Sequence, residues 1–362
     1  IASALITGKR DSISAPVNDA MYVSSLAHVL SISGYHMAVV AGLVFFVIRA
    51  LLALIPTMSD RYPIKKWAAL VALAAATFYL LLSGAEVATQ RSYIMIAIVL
   101  AGVMLDRPAI TVRTLTVAAM LVLILTPESV VHPSFQMSFA ATLALVAGYR
   151  YGLPWRADHD AGLGTRATLW GARELVGLVL ASIVAGLATT PYAAFHFHRL
   201  APYGVIANLA AMPVVSAFVM PMGILGALAM PFGLDGVFWE LMGKGLDWMT
   251  GVALWVTQLP GAVGHIAAFG TGPLLIGTLG LLLICLLRTP LRLAGVVVAA
   301  LATMLAVTAR QPDVLIAADG QAVAVRNAHG RLAITRTGSD SFAVRDWLAA
   351  DGDLRAVTDA TL

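Results

Sequence analysis

The stretch Ala27 to Met37, AHVLSISGYHM, sets two histidines around two serines and a glycine at the mouth of a long apolar run. Side chains of these types can do three things. A serine beside an imidazole can serve as nucleophile and base, imidazoles can ligate a metal, and hydroxyls and imidazoles together can line a wet passage by hydrogen bonding alone. In a helix His28 and His36 lie just over two turns apart and face one side, with Ser31, Ser33 and Gly34 close by. Two imidazoles with only hydroxyls between them are too few ligands for a closed zinc site, and no acidic residue lies near enough in sequence to orient either ring. The spacing therefore predicts polar groups that shape or gate a path, or that bond at a helix end, with no catalytic residue, metal or other cofactor.

Three further polar groups interrupt the apolar background. Glu86, Gln90 and Arg91 fall in GAEVATQRSYIM, and His132, Ser134, Gln136 and Ser138 in VVHPSFQMSFAA. Thr189, Thr190, Pro191, His196, His198, Arg199 and Asn208 make up the last group. Polar side chains inside a bilayer are costly unless another segment or water meets them. A buried carboxamide has up to four hydrogen-bonding positions to fill, so Gln136 and Asn208 each predict a polar network or a wet cavity, shared with the His28–His36 segment. Plainer roles exist for the rest. Ser138, Thr142, Thr189 and Thr190 can bond their own backbone or a neighbouring helix, and Arg91 and Arg199 can snorkel to headgroups. Several enzyme signatures fail: no HExxH occurs, His196-Phe197-His198 does not continue into HxHxDH, and SISG lacks the preceding small residue and the well-placed later histidine of a rhomboid-type serine loop.

Composition says what must hold these residues. Hydrophobic residues are 60% of the 362-residue chain, charged residues 12%, and the mean hydropathy is +0.87, against roughly 25% charged in a soluble domain. The net charge of +4 adds little, because loop cations account for much of it. The single cysteine, Cys285, sits inside LLLICLLR, which excludes a disulfide framework. Runs apolar and long enough to span fall at 29–55, 67–84, 87–105, 109–125, 135–151, 174–195, 203–232, 235–258, 272–288 and 290–309. Arg61, Lys65 and Lys66 share one loop, Arg107 and Arg113 another, and Arg150, Arg156, Arg166 and Arg173 a third, while the intervening loops are poor in cations. By the positive-inside rule those three loops are cytoplasmic, and Ile1–Ala27 and the C-terminal tail lie outside. Pro202, Pro213, Pro221 and Pro231 break up the run 203–232, which predicts a re-entrant hairpin. The following run carries Asp235, Glu240, Lys244 and Asp247 among tryptophans, which suits an interfacial amphipathic helix.

The predicted fold is an all-α polytopic membrane protein of about eight to ten membrane segments, hairpin and interfacial helix included. A short α+β soluble C-terminal tail follows. Residues 1–28 form an extracytoplasmic lead-in, 29–309 the transmembrane domain, and 310–362 the start of a truncated soluble domain. In that tail DVLIAADGQAVAVRNAHGRLAITRT alternates apolar and polar residues with turns at Asp319-Gly320 and Asn327–Gly330, a small β-meander. SFAVRDWLAADGD reads as a short helix capped by Ser341 or Asp340. The first residue, Ile1, and the abrupt stop at Leu362 suggest a piece of a longer protein.

The ordered set ALITGKRDS, AHVLSISGYHMAVVAGL, TQRSYIMIAIVL, LTPESVVHPSFQMSFAATLAL and TPYAAFHFHRLAPYGVIANLAAMPVV closely resembles the competence domain of the ComEC-type DNA uptake proteins. The likeness is dense over residues 3–232 and looser to 309. It implies a channel of the bacterial inner membrane that imports single-stranded DNA during natural transformation. It also implies partners: the bilayer, the DNA strand, a periplasmic DNA receptor and a cytoplasmic helicase. The residues it carries over to the DNA path are His28, Ser31, Ser33, Gly34, His36, Gln90, Arg91, Gln136, Ser138, Pro191, His196, Asn208 and Pro213. Full-length members commonly add an N-terminal OB-type domain and a C-terminal metallo-β-lactamase-type domain suspected of degrading the other strand. The expected acidic, glycine-rich run ending in GQGD is replaced here by PDVLIAADGQAVAVRN, so no nuclease activity is expected of this stretch. Two other classes stay open: a solute or lipid-intermediate transporter, and an intramembrane hydrolase using Ser31/Ser33 with His28/His36.

Overall fold

The computed structural model describes residues 1–11, 13–108, 111–151, 163–327, 329–336, 342–353 and 355. In chain order the elements are α1 (Ala2–Thr7), α2 (Ala15–Val23), α3 (Gly34–Ala53), α4 (Pro56–Arg61), α5 (Ile64–Leu82), α6 (Val87–Met104), α7 (Val112–Leu125), α8 (Pro133–Tyr151) and α9 (Leu163–Phe197). Then come β1 (Arg199–Leu200), α10 (Gly204–Val214), α11 (Met220–Ala229), α12 (Gly236–Thr257), β2 (Gly264–His265), α13 (Thr271–Leu286), α14 (Arg292–Val307), β3 (Val314–Ile316), β4 (Ala322–Arg326), β5 (Leu332–Arg336) and α15 (Phe342–Asp351). The chain divides into two compact units, one of residues 1–186 and 201–262, the other of 187–200 and 263–362.

Every apolar run read from the sequence becomes helix, but they are not equal. Among the described residues four helices are long and apolar enough to cross a membrane: Gly34–Ala53, Ile64–Leu82, Gly171–Phe197 and Gly204–Phe232. Ala88–Met104, Val112–Leu125, Thr271–Leu286 and Arg292–Val307 are apolar but shorter. The 14 residues of α7 rise about 21 Å, against about 30 Å of hydrocarbon. The protein is thus a mainly helical membrane chain with four candidate spans. α9 starts at Leu163, earlier than the charge pattern suggested, and turns much of the expected Arg150–Arg173 loop into helix. Arg156 lies outside the described residues.

In the first unit small residues set the packing. Ala68, Ala69, Ala72 and Ala76 of α5 are all fully buried, and the last three cluster with Met37, Val40 and Ala41 of α3. Small faces let apolar helices approach closely where lipid gives no hydrophobic drive. The N-terminal lead-in is part of this core, with Leu5, Met21, Leu26 and Val29 fully buried. Its α1 ends at Gly8, whose φ of 78° is left-handed and whose missing Cβ would lie 3.2 Å from Ser83 O. The Tyr79 hydroxyl of α5 donates to Leu5 O at 2.5 Å and ties α1 down.

The region 203–232 differs from expectation. It does not turn back within itself: α10 runs through a π turn at Val215–Val219 into α11 as one continuous helical run. The reversal comes afterwards, at Gly233 with φ 68°. From there α12 packs along α10 and α11, burying Met242, Gly245, Leu246, Met249, Val252, Ala253 and Val256 and exposing Glu240, Lys244, Asp247 and Trp248. The amphipathic character read from the sequence is present, with its apolar face covered by protein.

In the second unit α13 and α14 form a tight hairpin. A Cβ on Gly280 would meet Gly295 O at 2.9 Å, and one on Gly295 would meet Gly280 O at 2.7 Å. β1 and β2 pair antiparallel, Arg199 opposite His265. The tail is the expected meander, order β3-β4-β5, followed by α15. Asp340 and Ser341, the expected caps, lie outside the described residues. Ala322, Ala324 and Leu332 pack on one side of the sheet and Val344 and Leu348 of α15 are buried with them. On the other side the register sets Val314 beside Val325 and Ile316 beside Val323, and Val314, Ile316 and Val325 are exposed.

Candidate functional site

The AHVLSISGYHM segment is not one helix. His28 sits in a short 3-10 turn, Ala27–Val29, and α3 begins only at Gly34 with Ser33 as its cap in extended backbone. The two histidines are therefore held by different local devices. His28 Nδ1–H donates to Ser25 O at 2.8 Å. His36, at the third position of α3, does the reverse: its Nδ1 accepts the Ser33 N–H at 3.2 Å and the Ser33 hydroxyl at 3.1 Å. This is a capping box with imidazole in the place of Glu or Gln. The bonds assign opposite tautomers, Nδ1–H for His28 and Nε2–H for His36. His36 is fully buried, and its Nε2–H has no acceptor among the described residues.

The surrounding elements converge on this first turn. Arg10 reaches from the lead-in to donate to Ser31 Oγ at 2.8 Å. A Cβ on Gly34 would stand 3.8 Å from Ser92 Oγ, so α6 lies directly alongside. Ser92 donates to Ala88 O at 2.9 Å, while the buried hydroxyl of Thr89 has no partner among the described residues. Gly204 of α10 is pressed on Ser25, where a Cβ would come to 2.9 Å of Ser25 Cβ. Asn208, one turn further along α10, has its Oδ1 sealed from solvent with no partner among the described residues. His28, Ser31, Ser33, Gly34, His36 and Asn208 thus belong to one region of the first unit.

The remaining sequence-picked residues have other duties. Gln90 is exposed and its amide donates to Ala85 O at 2.7 Å, holding the Gly84-Ala85 turn in which both residues have positive φ. Arg91 is buried and donates to Ser134 Oγ at the start of α8. Ser134 in turn faces His132 Nδ1 at 3.2 Å. Gln136 Nε2 donates to Val130 O at 2.9 Å, binding α8 to the turn before it. Ser138 is exposed, and its carbonyl accepts the Thr142 hydroxyl at 2.8 Å, the plain backbone role. Pro213 is exposed just before the π turn. Pro191 and His196 belong to the second unit, inside α9. There His196 meets Phe195 edge-on at 5.0 Å, and the Tyr192 and Thr278 hydroxyls are 3.0 Å apart. Beside them His198 has φ 54°, and burial, then the Arg199 charge, pushes His265 below the usual imidazole value.

Sequence reasoning missed Arg10, Ser25, Thr89 and Ser92. Only Arg10 carried a signal, a cation in a lead-in read as extracytoplasmic. Among the described residues no group of three His, Cys, Asp or Glu side chains is placed to hold a metal ion.

The region that carries these bonds is similar to known proteins. Residues 5–291 match the family described as "Competence protein". The chain belongs to the Competence protein family. That match takes in the lead-in from residue 5, every candidate residue and the helices from α2 to α13, and stops just before α14. Among curated relatives, ComE operon protein 3 of Bacillus subtilis (strain 168) is 22% identical over 270 residues, 74% of this chain and 31% of that protein. Competence protein ComA of Neisseria gonorrhoeae is 36% identical over 94 residues, 26% of this chain and 13% of that one. The chain thus spans less than a third of either relative's length. No solved structure matches significantly.

Proposed function

We propose that this chain is the membrane core of a DNA uptake system for transformation, a bacterial inner-membrane channel passing single-stranded DNA inward. One observation carries the reading beyond family membership. His36 is fully buried with its Nε2–H lacking an acceptor among the described residues, in the first turn of a candidate span. An orphan donor inside a membrane protein costs about 1–3 kcal/mol, and such costs are met where water or a polar substrate enters. Single strands supply phosphate acceptors, and Arg10 and Arg91 of the first unit are groups that suit them.

The hydrolase reading has weaker support. Ser33 and His36 are in contact, but the contact is a helix cap within one turn, and Nε2 faces no carboxylate that would orient the ring as a base. We assign no chemical step to this chain. The transporter reading would favour a compact ionisable site, and the candidate residues are mostly neutral. In this reading Ile1–Ala27 and the tail face the periplasm, where a DNA receptor delivers the strand, and a helicase draws it in from the cytoplasm. Reporter fusions at Ser59 and in the tail should give opposite compartments.

The deciding experiment deletes the gene and scores uptake of labelled DNA into the cytoplasm separately from growth. The channel predicts lost uptake with unchanged growth, restored by the intact gene; normal uptake would refute it.

A further inference from the structure

Helix α12 runs antiparallel to the helical run 204–232 and stays against it over most of its length. The Trp239 ring lies over Gly226, Met242 Sδ over Gly223 and Val219 Cγ2 over Gly245, where added Cβ atoms would meet them at 3.0, 3.2 and 2.5 Å. Further along, Trp248 Nε1–H donates to Ala210 O at 3.0 Å. Gly245 thus stands next to the centre of a run that is itself a candidate membrane span.

The face of α12 turned away from these contacts carries charge. Glu240, Lys244 and Asp247 follow one another at helical spacing, and all three are exposed. At about 1.5 Å of rise per residue, Lys244 and Asp247 lie within about 3 Å, and Glu240 within about 8 Å, of the level of Gly245. The hydrocarbon layer reaches about 15 Å to either side of its centre, so in a spanning arrangement all three fall inside it. Lys244 faces Glu240 at 3.5 Å, and its long stem can snorkel. Asp247 has no hydrogen bond or ion pair among the described residues, and a carboxylate on one methylene is too short to reach the headgroups. An ionised group at that depth faces protein or water rather than lipid.

We propose that the outer face of α12 lines a water-filled passage at the middle of the membrane, with Asp247 and the Glu240–Lys244 pair in its wall. The inference rests on the channel reading above and deepens it by naming lining residues on a helix that the sequence places at the interface. Two carboxylates against one ammonium do not hold a phosphate chain, so a DNA strand slides past this wall and does not rest on it.

The test uses the full chain in sealed membrane vesicles, with Cys285→Ala as background and a membrane-impermeant cationic methanethiosulfonate as probe. Its reaction rate is compared at Lys244→Cys, Asp247→Cys and Phe46→Cys, the last an exposed apolar position near the middle of α3. The expected result is reaction at least tenfold faster at the two α12 sites than at Phe46→Cys, with Pro202→Cys and Phe232→Cys reached from opposite sides of the membrane. Either α12 site suffices if the other variant does not fold. Rates as slow as at Phe46→Cys overturn the proposal, whether lipid or another chain covers the face. Reaction of both end positions from one side also overturns it, because the two helices then lie along the surface. The probe reads water and not DNA: a dry face with lost uptake in the gene deletion refutes this inference alone, and a wet face with normal uptake refutes the channel reading alone.

Discussion

The first turn of α3 and the tail domain solve the same problem, anchoring an element by polar bonds, with opposite chemistry. Around α3 the partners are neutral or singly charged and mostly close in sequence: His28 with Ser25, His36 with Ser33, Ser31 with Arg10. In the tail the bonds use full charges, and two of them reach far in sequence. Arg326 makes a two-pronged pair with Asp351 at 2.6 and 3.1 Å, and Arg355 reaches Leu332 O at 2.7 Å. Charge inside a bilayer is expensive, so a span is capped with imidazole and hydroxyl. A domain in water can use full charges, because each ion keeps some hydration until its partner arrives. The difference is the one expected if α3 lies in a bilayer and the tail in water.

The sharpest way to break this contrast is to strip the tail of one charge. Asp351→Ala leaves Arg326 largely enclosed and unpaired, and should cost the tail about 3 kcal/mol, seen as faster proteolysis after α14. Adding Arg326→Met should recover most of the loss. If the double variant is as labile as the single, the charges are not what anchors α15.

The next effect is at α3. His36→Leu removes both the acceptor for the Ser33 N–H and the Nε2–H donor, and should cost about 2 kcal/mol locally, with DNA uptake reduced at least tenfold at equal protein level. His36→Gln keeps a capping acceptor at the same helix position and should retain most uptake. Equal loss in both variants would place chemistry rather than capping at this residue.

The smallest effect is in the pH response. A hydrogen bond from Arg355 holds the Asp353 carboxyl below the usual carboxylate range. A depressed folded-state value means that the stabilising form is the ionised one. Its contribution is complete above about pH 4, the unfolded value, and is lost as pH falls through the lower folded value. Thermal melting of the tail should therefore drop on acidification below that point, and Asp353→Asn should flatten the profile.

How far these features were legible in the sequence depended on their range. The helices were readable because a span announces itself by twenty apolar residues, and the meander by its alternation and its Gly320 and Gly330 turns. The His28–His36 pair was misjudged as one helix because Ser31 and Ser33, which end one turn and cap the next, look the same in a string as helix-facing hydroxyls. The prolines of 203–232 were read as a hairpin, since a sequence shows the missing donors and not the π turn that accommodates them. Arg10 with Ser31 and Arg91 with Ser134 span 21 and 43 residues and follow from packing alone.

The register of the tail sheet leaves Val314, Ile316, Val323 and Val325 side by side on the face away from α15. For a chain in the making this is a hazard. Branched apolar residues in a flat row, next to an open strand edge, are a template for other copies to add on. Cut away from its membrane helices for study, the tail is predisposed to clump, and Ile316→Lys is the gatekeeper change that would keep it dispersed.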